Sequence, residues 1–188
     1  MAVYVIQKCA ISLDGFINDA SGKRLILSNP EDLERVDAVR AECDAILVGA
    51  GTVRADNPKL LVKKGDKQPI KVTLTRRNDF DPKNNFLVYR PEAGAKDVDL
   101  KFLLSDLQKR GVKKLLVEGG TNIGTAFLKA GLVDELQVSI APFFVGDSKA
   151  PRFVGEGPFY HDAMHRMELV SVKKVGDMAE LIYKLHRT

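Results

Sequence analysis

The sequence predicts an α/β fold: a mostly parallel central sheet flanked by helices, with an antiparallel hairpin at its C-terminal end. Three observations predict it. Short runs of β-formers alternate with stretches of helical spacing along most of the chain, the pattern of a parallel sheet with crossover helices. Two of those runs, Ala45 to Val48 and Leu115 to Val117, stop at glycine-bearing turns, Gly49-Ala50-Gly51-Thr52 and Glu118-Gly119-Gly120. Met167 to Val175 and Met178 to Leu185 are joined by Gly176-Asp177, which reads as a hairpin. With 188 residues and no repeat, low-complexity tract or linker, the chain reads as one domain over residues 1–188.

Val3 to Ser12 forms the first strand, with Val5, Cys9 and Ile11 on one face and Ile6 and Ala10 on the other. Apolar residues on both faces put it centrally. Ser12-Leu13-Asp14-Gly15-Phe16 breaks the pattern with a turn. Ser28-Asn29-Pro30-Glu31 carries helix-start chemistry, and Leu33, Val36, Val39 and Cys43 are expected to be the buried stripe, with Glu34, Arg35, Asp37 and Glu42 outward. After the buried strand Ala45 to Val48, Val53 to Lys59 is polar and ends in Asn57-Pro58. Gln68-Pro69 introduces the strand Ile70 to Leu74, closed by Thr75-Arg76-Arg77-Asn78-Asp79, and Phe86 to Tyr89 is one more short strand. Leu100, Leu103, Leu104 and Leu107 make a helical stripe capped at Gly111 before Lys113 to Val117 returns to the sheet. Ile123, Ala126, Phe127 and Ala130 have helical spacing. Leu136, Val138 and Ile140 alternate with Gln137 and Ser139, which predicts a half-exposed strand ahead of the long connection from Ala141 to Pro158.

Composition narrows the function. Hydrophobic residues at 45% and charged residues at 29% are ordinary for a soluble protein. The N-terminus has no basic-then-apolar leader, and no segment offers the roughly 18 unbroken apolar residues of a membrane span. A cytoplasmic protein with no membrane partner is expected. Cys9 and Cys43 lack metal-site spacing and read as buried free thiols. The net charge is +4 and the pI about 9.0. The basic residues come as scattered pairs, among them Lys63-Lys64, Arg76-Arg77, Lys109-Arg110, Lys113-Lys114 and Lys173-Lys174, with no interleaved aromatics. That argues against nucleic acid and suits a small phosphorylated ligand.

Standard motifs are absent. Gly49-Ala50-Gly51 has Arg54 where a dinucleotide fingerprint needs its third glycine, and no Gly-Lys-Ser/Thr or Gly-x-Ser-x-Gly occurs. His161 and His165 are spaced i, i+4 but enclose Asp162 rather than the glutamate of a zinc protease, so no metal site is expected. What remains is a set of polar residues at strand ends: Asp14, Thr52, Asp56, Thr75, Arg76 and Glu118. Glycines at the Glu118 turn let a phosphate approach the backbone at a helix start, or else serve only to shape the connection. Thr75-Arg76 pairs a hydroxyl with a planar cation, the chemistry that holds a phosphate monoester such as the 2′-phosphate of NADPH. The alternative is that Arg76 and Arg77 are solvated loop charges.

Five segments taken together make the chain familiar: Ser12-Leu13-Asp14-Gly15, Ser28 to Arg40, Val48 to Leu60, Val117-Glu118-Gly119-Gly120, and Gly131 to Leu136 with Ala141-Pro142. Over nearly its whole length it resembles the reductases of riboflavin biosynthesis, which have the dihydrofolate-reductase-like fold. These are the free-standing pyrimidine reductases of archaea and fungi and the reductase half of the bacterial deaminase-reductase. The resemblance implies hydride transfer from NADPH to the ribose C1′ of a ribosylaminopyrimidine 5′-phosphate, giving the ribityl form. It implies that Thr52, Asp56, Thr75, Arg76, Gly119, Gly120 and Thr121 hold the cofactor, and that Arg40, Asn57, Leu60 and Lys63 line the substrate's ribose phosphate together with Glu118. Glu118 is the first catalytic candidate; Asp14 is a second, with capping of its own turn as the alternative. A homodimer is also implied.

Two departures fall on the substrate side. The family usually has an acid where this chain has Asn57, and often a basic residue where it has Phe16. The zinc-ligand motif of the deaminase half is missing from this sequence, so the chain by itself is not expected to deaminate. Two other readings stay open: a reductase of the same fold for another substrate, dihydrofolate included, and a non-catalytic nucleotide-binding protein that keeps Gly119, Gly120 and Arg76. The lack of tryptophan and the Glu-Gly-Gly turn argue against dihydrofolate itself.

Overall fold

The structure is a computed structural model. It describes every residue except 1, 64, 66, 78–79, 81–84 and 187–188, and at Asp56 the backbone alone. The second lysine of Lys63-Lys64 and the Asn78-Asp79 turn therefore lie outside the described residues. The strands are β1 (Tyr4–Ser12), β2 (Ala45–Gly49), β3 (Ile70–Leu74), β4 (Leu87–Tyr89), β5 (Lys114–Val117), β6 (Glu135–Ala141), β7 (Glu168–Val175) and β8 (Met178–Lys184). The helices are α1 (Pro30–Glu42), α2 (Ala50–Asp56), α3 (Leu100–Lys109) and α4 (Thr121–Lys129). All eight strands form one sheet in the order β4-β3-β2-β5-β1-β6-β8-β7. Pairings from β4 to β6 are parallel; β6–β8 and β7–β8 are antiparallel. The predicted fold class is the observed one, and β1 lies inside the sheet between β5 and β6.

Alternation along the inner strands divides the core in two. Leu47, Val72, Leu115 and Val117 face Leu103, Leu107 and Phe127 from α3 and α4. Ile46, Val48 and Leu116, one residue out of phase, share the opposite cluster with Ile6, Cys43 and Val53. Helix α1 starts where the sequence says: Asn29 Oδ1 accepts the Asp32 N–H at 2.8 Å, with Pro30 opening the helix. The Asn29 side-chain amide also donates to the Val175 carbonyl at 2.8 Å, tying the hairpin to the helix start.

Two expectations are corrected. The buried positions of α1 are Asp32 and Asp37, while Leu33 is 48% exposed. The helix packs on a charged stretch of the sheet, so its inward residues are those that can pair. For the same reason β6 is not half exposed: Gln137 and Ser139 are buried under α1 beside Lys8. The second glycine turn leads into a helix as the first does: Ala50–Asp56 is helical and ends at Asn57 in the left-handed region, φ 40°. No helix among the described residues is long and apolar enough to cross a membrane.

Candidate functional site

Two clefts lie beyond the carboxyl ends of the parallel strands, where open α/β sheets bind ligands. One, of about 870 Å³, runs beneath Asn18 to Ser28 and is lined by Lys8, Asp32 and Glu118. The other, of about 1240 Å³, lies against the start of α4 and is lined by Thr75, Arg76 and Thr121. They share one wall. Ile17, Gly51, Thr52, Gly120 and Pro151 line both, so ligands in the two clefts meet there.

Glu118 ends β5, its N–H donating to the Leu47 carbonyl of β2 at 2.9 Å. Its carboxylate receives Arg40 through two bonds, Nε at 2.7 Å and Nη2 at 2.6 Å. Burial works against the Arg40 charge, but those bonds and the Glu118 charge outweigh it and raise its pKa further. A planar bidentate grip fixes the orientation of Glu118 at the cleft rather than leaving it to solvent. One turn earlier on α1, Asp37 accepts the Lys63 backbone N–H at 2.9 Å; of the residues expected at the ribose phosphate, Arg40 reaches the cleft through Glu118, and Arg40, Asn57, Leu60 and Lys63 do not themselves line either cleft. Leu60 is buried in the smaller apolar cluster and Asn57 is exposed at the end of α2. Both have positive φ: Asn57 takes it as the left-handed residue that ends α2, whereas the buried Leu60 is held there by its packing.

The wider cleft gathers Thr52, Thr75, Arg76, Gly120 and Thr121; the side chain of Asp56 lies outside the described residues. Thr75 is buried and its hydroxyl accepts the Arg77 N–H at 3.1 Å. Arg76 is mostly exposed and pairs with Asp97, Nε at 3.0 Å. The Thr121 hydroxyl donates to the Arg152 carbonyl, joining the start of α4 to the loop after β6. The glycines divide by purpose. A Cβ on Gly119 would stand 2.6 Å from Ile123 Cβ, so Gly119 serves close strand–helix packing. Gly120 has room and Gly51 faces open space, and these two form the shared wall.

Asp14 lies apart from these groups. It accepts the Ser12 hydroxyl at 2.5 Å and the Val145 and Gly146 N–H groups at 3.1 and 2.8 Å, clamping the turn after β1 to the loop after β6. Desolvation opposes the charge, but the Ser12 and backbone hydrogen bonds prevail and hold its pKa at about 2. An acid held that low is a poor proton donor at neutral pH. Desolvation likewise pushes the Cys9 and Cys43 thiols up to about 12, well away from a reactive thiolate. Residues 161–165 are not helical, and the rings of His161 and His165 both pack on Tyr160, each with its centroid 5.1 Å away.

Sequence reasoning missed part of both walls. In the wider cleft Arg54, Lys101 and Arg152 add positive charge. Arg152 lies over the Phe16 ring at 4.6 Å, which puts a cation beside the position where the sequence has lost one. In the other cleft Lys23 and Arg24 flank the opening, while Lys8 and Asp32 lie deeper. Only Lys8 had a signal: a lone cation between Ile6 and Ala10 on the inward face of a central strand.

Residues 3–179 match the family model described as the RibD C-terminal domain. A protein of Methanothermobacter thermautotrophicus named 2,5-diamino-6-ribosylamino-4(3H)-pyrimidinone 5′-phosphate reductase is 37% identical, over 84% of this chain and 86% of its own. The solved structure of Acinetobacter baumannii RibD superposes with a TM-score of 0.84 at 27% identity, covering 98% of this chain and 58% of that one. A dihydrofolate reductase of Enterococcus faecalis, solved with NADP(H), has a TM-score of 0.66 at 15% identity over 99% of both chains, a likeness of fold alone. The sheet order, the paired clefts and a match over almost the whole sequence agree: the chain belongs to the RibD C-terminal domain family and has the dihydrofolate-reductase-like fold.

Proposed function

We propose that the chain is an NADPH-dependent reductase of riboflavin biosynthesis, converting the ribosyl group of a ribosylaminopyrimidinone 5′-phosphate to ribityl. The shared wall of the two clefts carries this reading. Hydride transfer needs donor and acceptor carbons in contact, and Gly51, Thr52 and Gly120 bound both spaces at once. The name of the M. thermautotrophicus relative supports the substrate class.

The wider cleft fits the cofactor. Gly51 offers no side chain, Gly120 and Thr121 open α4 with free N–H groups, and Arg54, Arg76, Arg77, Lys101 and Arg152 outnumber Asp97 and Asp99. Thr75 and Arg76 would hold a terminal phosphate, with Thr52, Asp56, Gly120 and Thr121 along the remainder, while Gly119, expected to hold the cofactor, would act by letting α4 pack close to the strand end. When bound, NADPH supplies the hydride that reduces C1′. Glu118, oriented by Arg40, is the group within the substrate cleft able to hold a sugar hydroxyl or pass a proton to the substrate nitrogen. Arg40, Asn57, Leu60 and Lys63 would bound the ribose phosphate from the α1 side. Asp14 would act by fixing the loop after β6 rather than by touching substrate. A cytoplasmic homodimer completes the reading: edge strand β7 exposes Leu169, Val170 and Val172 by 51–61%, an apolar row a second copy can cover.

The decisive assay follows NADPH absorbance with the ribosylaminopyrimidine phosphate in its amino and deaminated forms, and with dihydrofolate. Turnover of a pyrimidine but not dihydrofolate is expected; no turnover of either pyrimidine by folded protein would reject the proposal. Arg76→Ala should weaken NADPH at least about tenfold more than NADH, since one charge-assisted contact to the extra phosphate is lost.

A further inference from the structure

We infer that Arg152 anchors the diphosphate of the dinucleotide and that the ring of Phe16 holds it in place for that purpose. The inference rests on the reductase reading above and adds a binding residue to its cofactor site. Arg152 belongs to the long connection after β6, yet its backbone is built into the site from two sides. Residues 151–153 run antiparallel to residues 15–17: Phe16 and Arg152 are bridged, the Ile17 N–H donates to the Pro151 carbonyl at 2.9 Å, and the Phe153 N–H donates to the Gly15 carbonyl at 3.0 Å. The Arg152 carbonyl in turn accepts the hydroxyl of Thr121, the first residue of α4. Pro151 stands in the wall common to the two clefts, and Arg152 lines the wider one.

The way this charge is held points to a ligand. Phe16 is 3% exposed, and the Arg152 guanidinium lies over its ring at 4.6 Å. A ring face attracts a cation without neutralising it and leaves its N–H donors free. Among the described residues no carboxylate pairs with this guanidinium, whereas Arg76 in the same cleft is matched by Asp97. Arg152 is thus positioned and uncompensated. Phe16 lines neither cleft, so it serves the site through Arg152.

Placement selects the part of the dinucleotide. The hydride-bearing ring has to lie at the wall shared with the substrate, and the 2′-phosphate belongs with Thr75 and Arg76. The diphosphate falls between them, against the start of α4, which has no side-chain cap and to which the Arg152 backbone is bonded. A guanidinium there can give paired N–H groups to a phosphate. The diphosphate is common to NADPH and NADH, so Arg152 supplies affinity for either, and the choice between them is left to Arg76.

The test is a set of binding titrations on Arg152→Ala, which removes an exposed side chain. NADPH and NADH should both weaken at least about tenfold and by similar factors, while adenosine 2′-phosphate, which has no diphosphate, should bind within about twofold of wild type. Arg152→Lys keeps the charge but not the paired donors and should recover part of the loss. Phe16→Leu should weaken both dinucleotides and add little in the Arg152→Ala background, because the ring acts through the guanidinium. A merely structural Arg152 would loosen all of these ligands together. That result, unaltered dinucleotide affinity, or a loss confined to NADPH would overturn the assignment while leaving the reductase reading in place. Wild-type protein that binds neither dinucleotide would remove both.

Discussion

On the face of the sheet covered by α3 and α4, Leu47, Val72, Leu115 and Val117 meet Leu103, Leu107 and Phe127 in an apolar cluster. On the face covered by α1, the apolar cluster reaches Ile6, and two residues further along β1 its place is taken by Lys8, Asp32, Arg35, Ser139 and Glu180. The first face obeys area: burial there contributes roughly 25 cal/mol per Å² and needs no partner. The second obeys pairing, since each buried charge costs several kcal/mol unless met. Apolar burial thus dominates one side of the sheet and charge pairing the other, and Glu118 with Arg40 belongs to the second kind.

The sharpest break of this comparison is chemical. Glu118→Gln should lower kcat at least about 100-fold, the range lost with a positioned acid–base group, while NADPH affinity stays near wild type. Steady-state kinetics with a separate NADPH titration checks it; retained kcat would remove Glu118 from the mechanism. On the apolar face the expected loss is of stability instead. Phe127→Ala should cost about 3–5 kcal/mol in denaturant unfolding, because the ring is fully buried among side chains that cannot all close the cavity. Folded Phe127→Ala protein at low temperature should turn over near the wild-type rate.

The two glycine turns sharpen the distinction between architecture and site. Gly119→Ala drives a Cβ into Ile123 and should destabilise by about 1–3 kcal/mol. Gly51→Ala should do the reverse. It lies in α2 with open space beside it, so alanine should add about 0.5–1 kcal/mol of helix stability while obstructing the shared wall and weakening NADPH. Thermal melts and cofactor titrations on both variants separate these effects; a Gly51→Ala protein with unaltered NADPH binding would take the glycine out of the cofactor site.

The smallest effect concerns pH. Asp14 has its pKa lowered to about 2 against an ordinary value near 3.8, so its contribution is present above about pH 4 and is lost as pH falls from there toward 2. Unfolding curves of wild type and Asp14→Asn should therefore differ at neutral pH and converge as pH approaches 2. A difference independent of pH would mean that the loop clamp does not depend on the charge.

Much of the fold was legible because it depends on local chemistry. The apolar run Leu115 to Val117 halted at Glu118, Asn29-Pro30 opened α1, and Gly176-Asp177 joined β7 to β8, each at or within a residue of its expected place. Glu118, Thr52, Thr75 and Arg76 were also visible, since strand ends in a parallel sheet share one rim. Leu33 and Ser139 show where local reading stops. Hydrophobic periodicity assumes that a helix buries its apolar stripe, and α1 instead buries Asp32 and Asp37 because the sheet beneath it carries Lys8 and the hairpin brings in Glu180.

The sequence by itself determined the order of elements, the glycine turns and the family pattern, all of which follow from residues near one another in the chain. Only the tertiary structure decided that Lys8, Asp32, Ser139 and Glu180, spread over four elements and 172 positions from Lys8 to Glu180, form one buried network. It also decided that two clefts share a wall. The physical reason is range: propensity and periodicity act over a few residues, whereas a buried charge is stabilised by whatever partner the sheet order brings within about 4 Å.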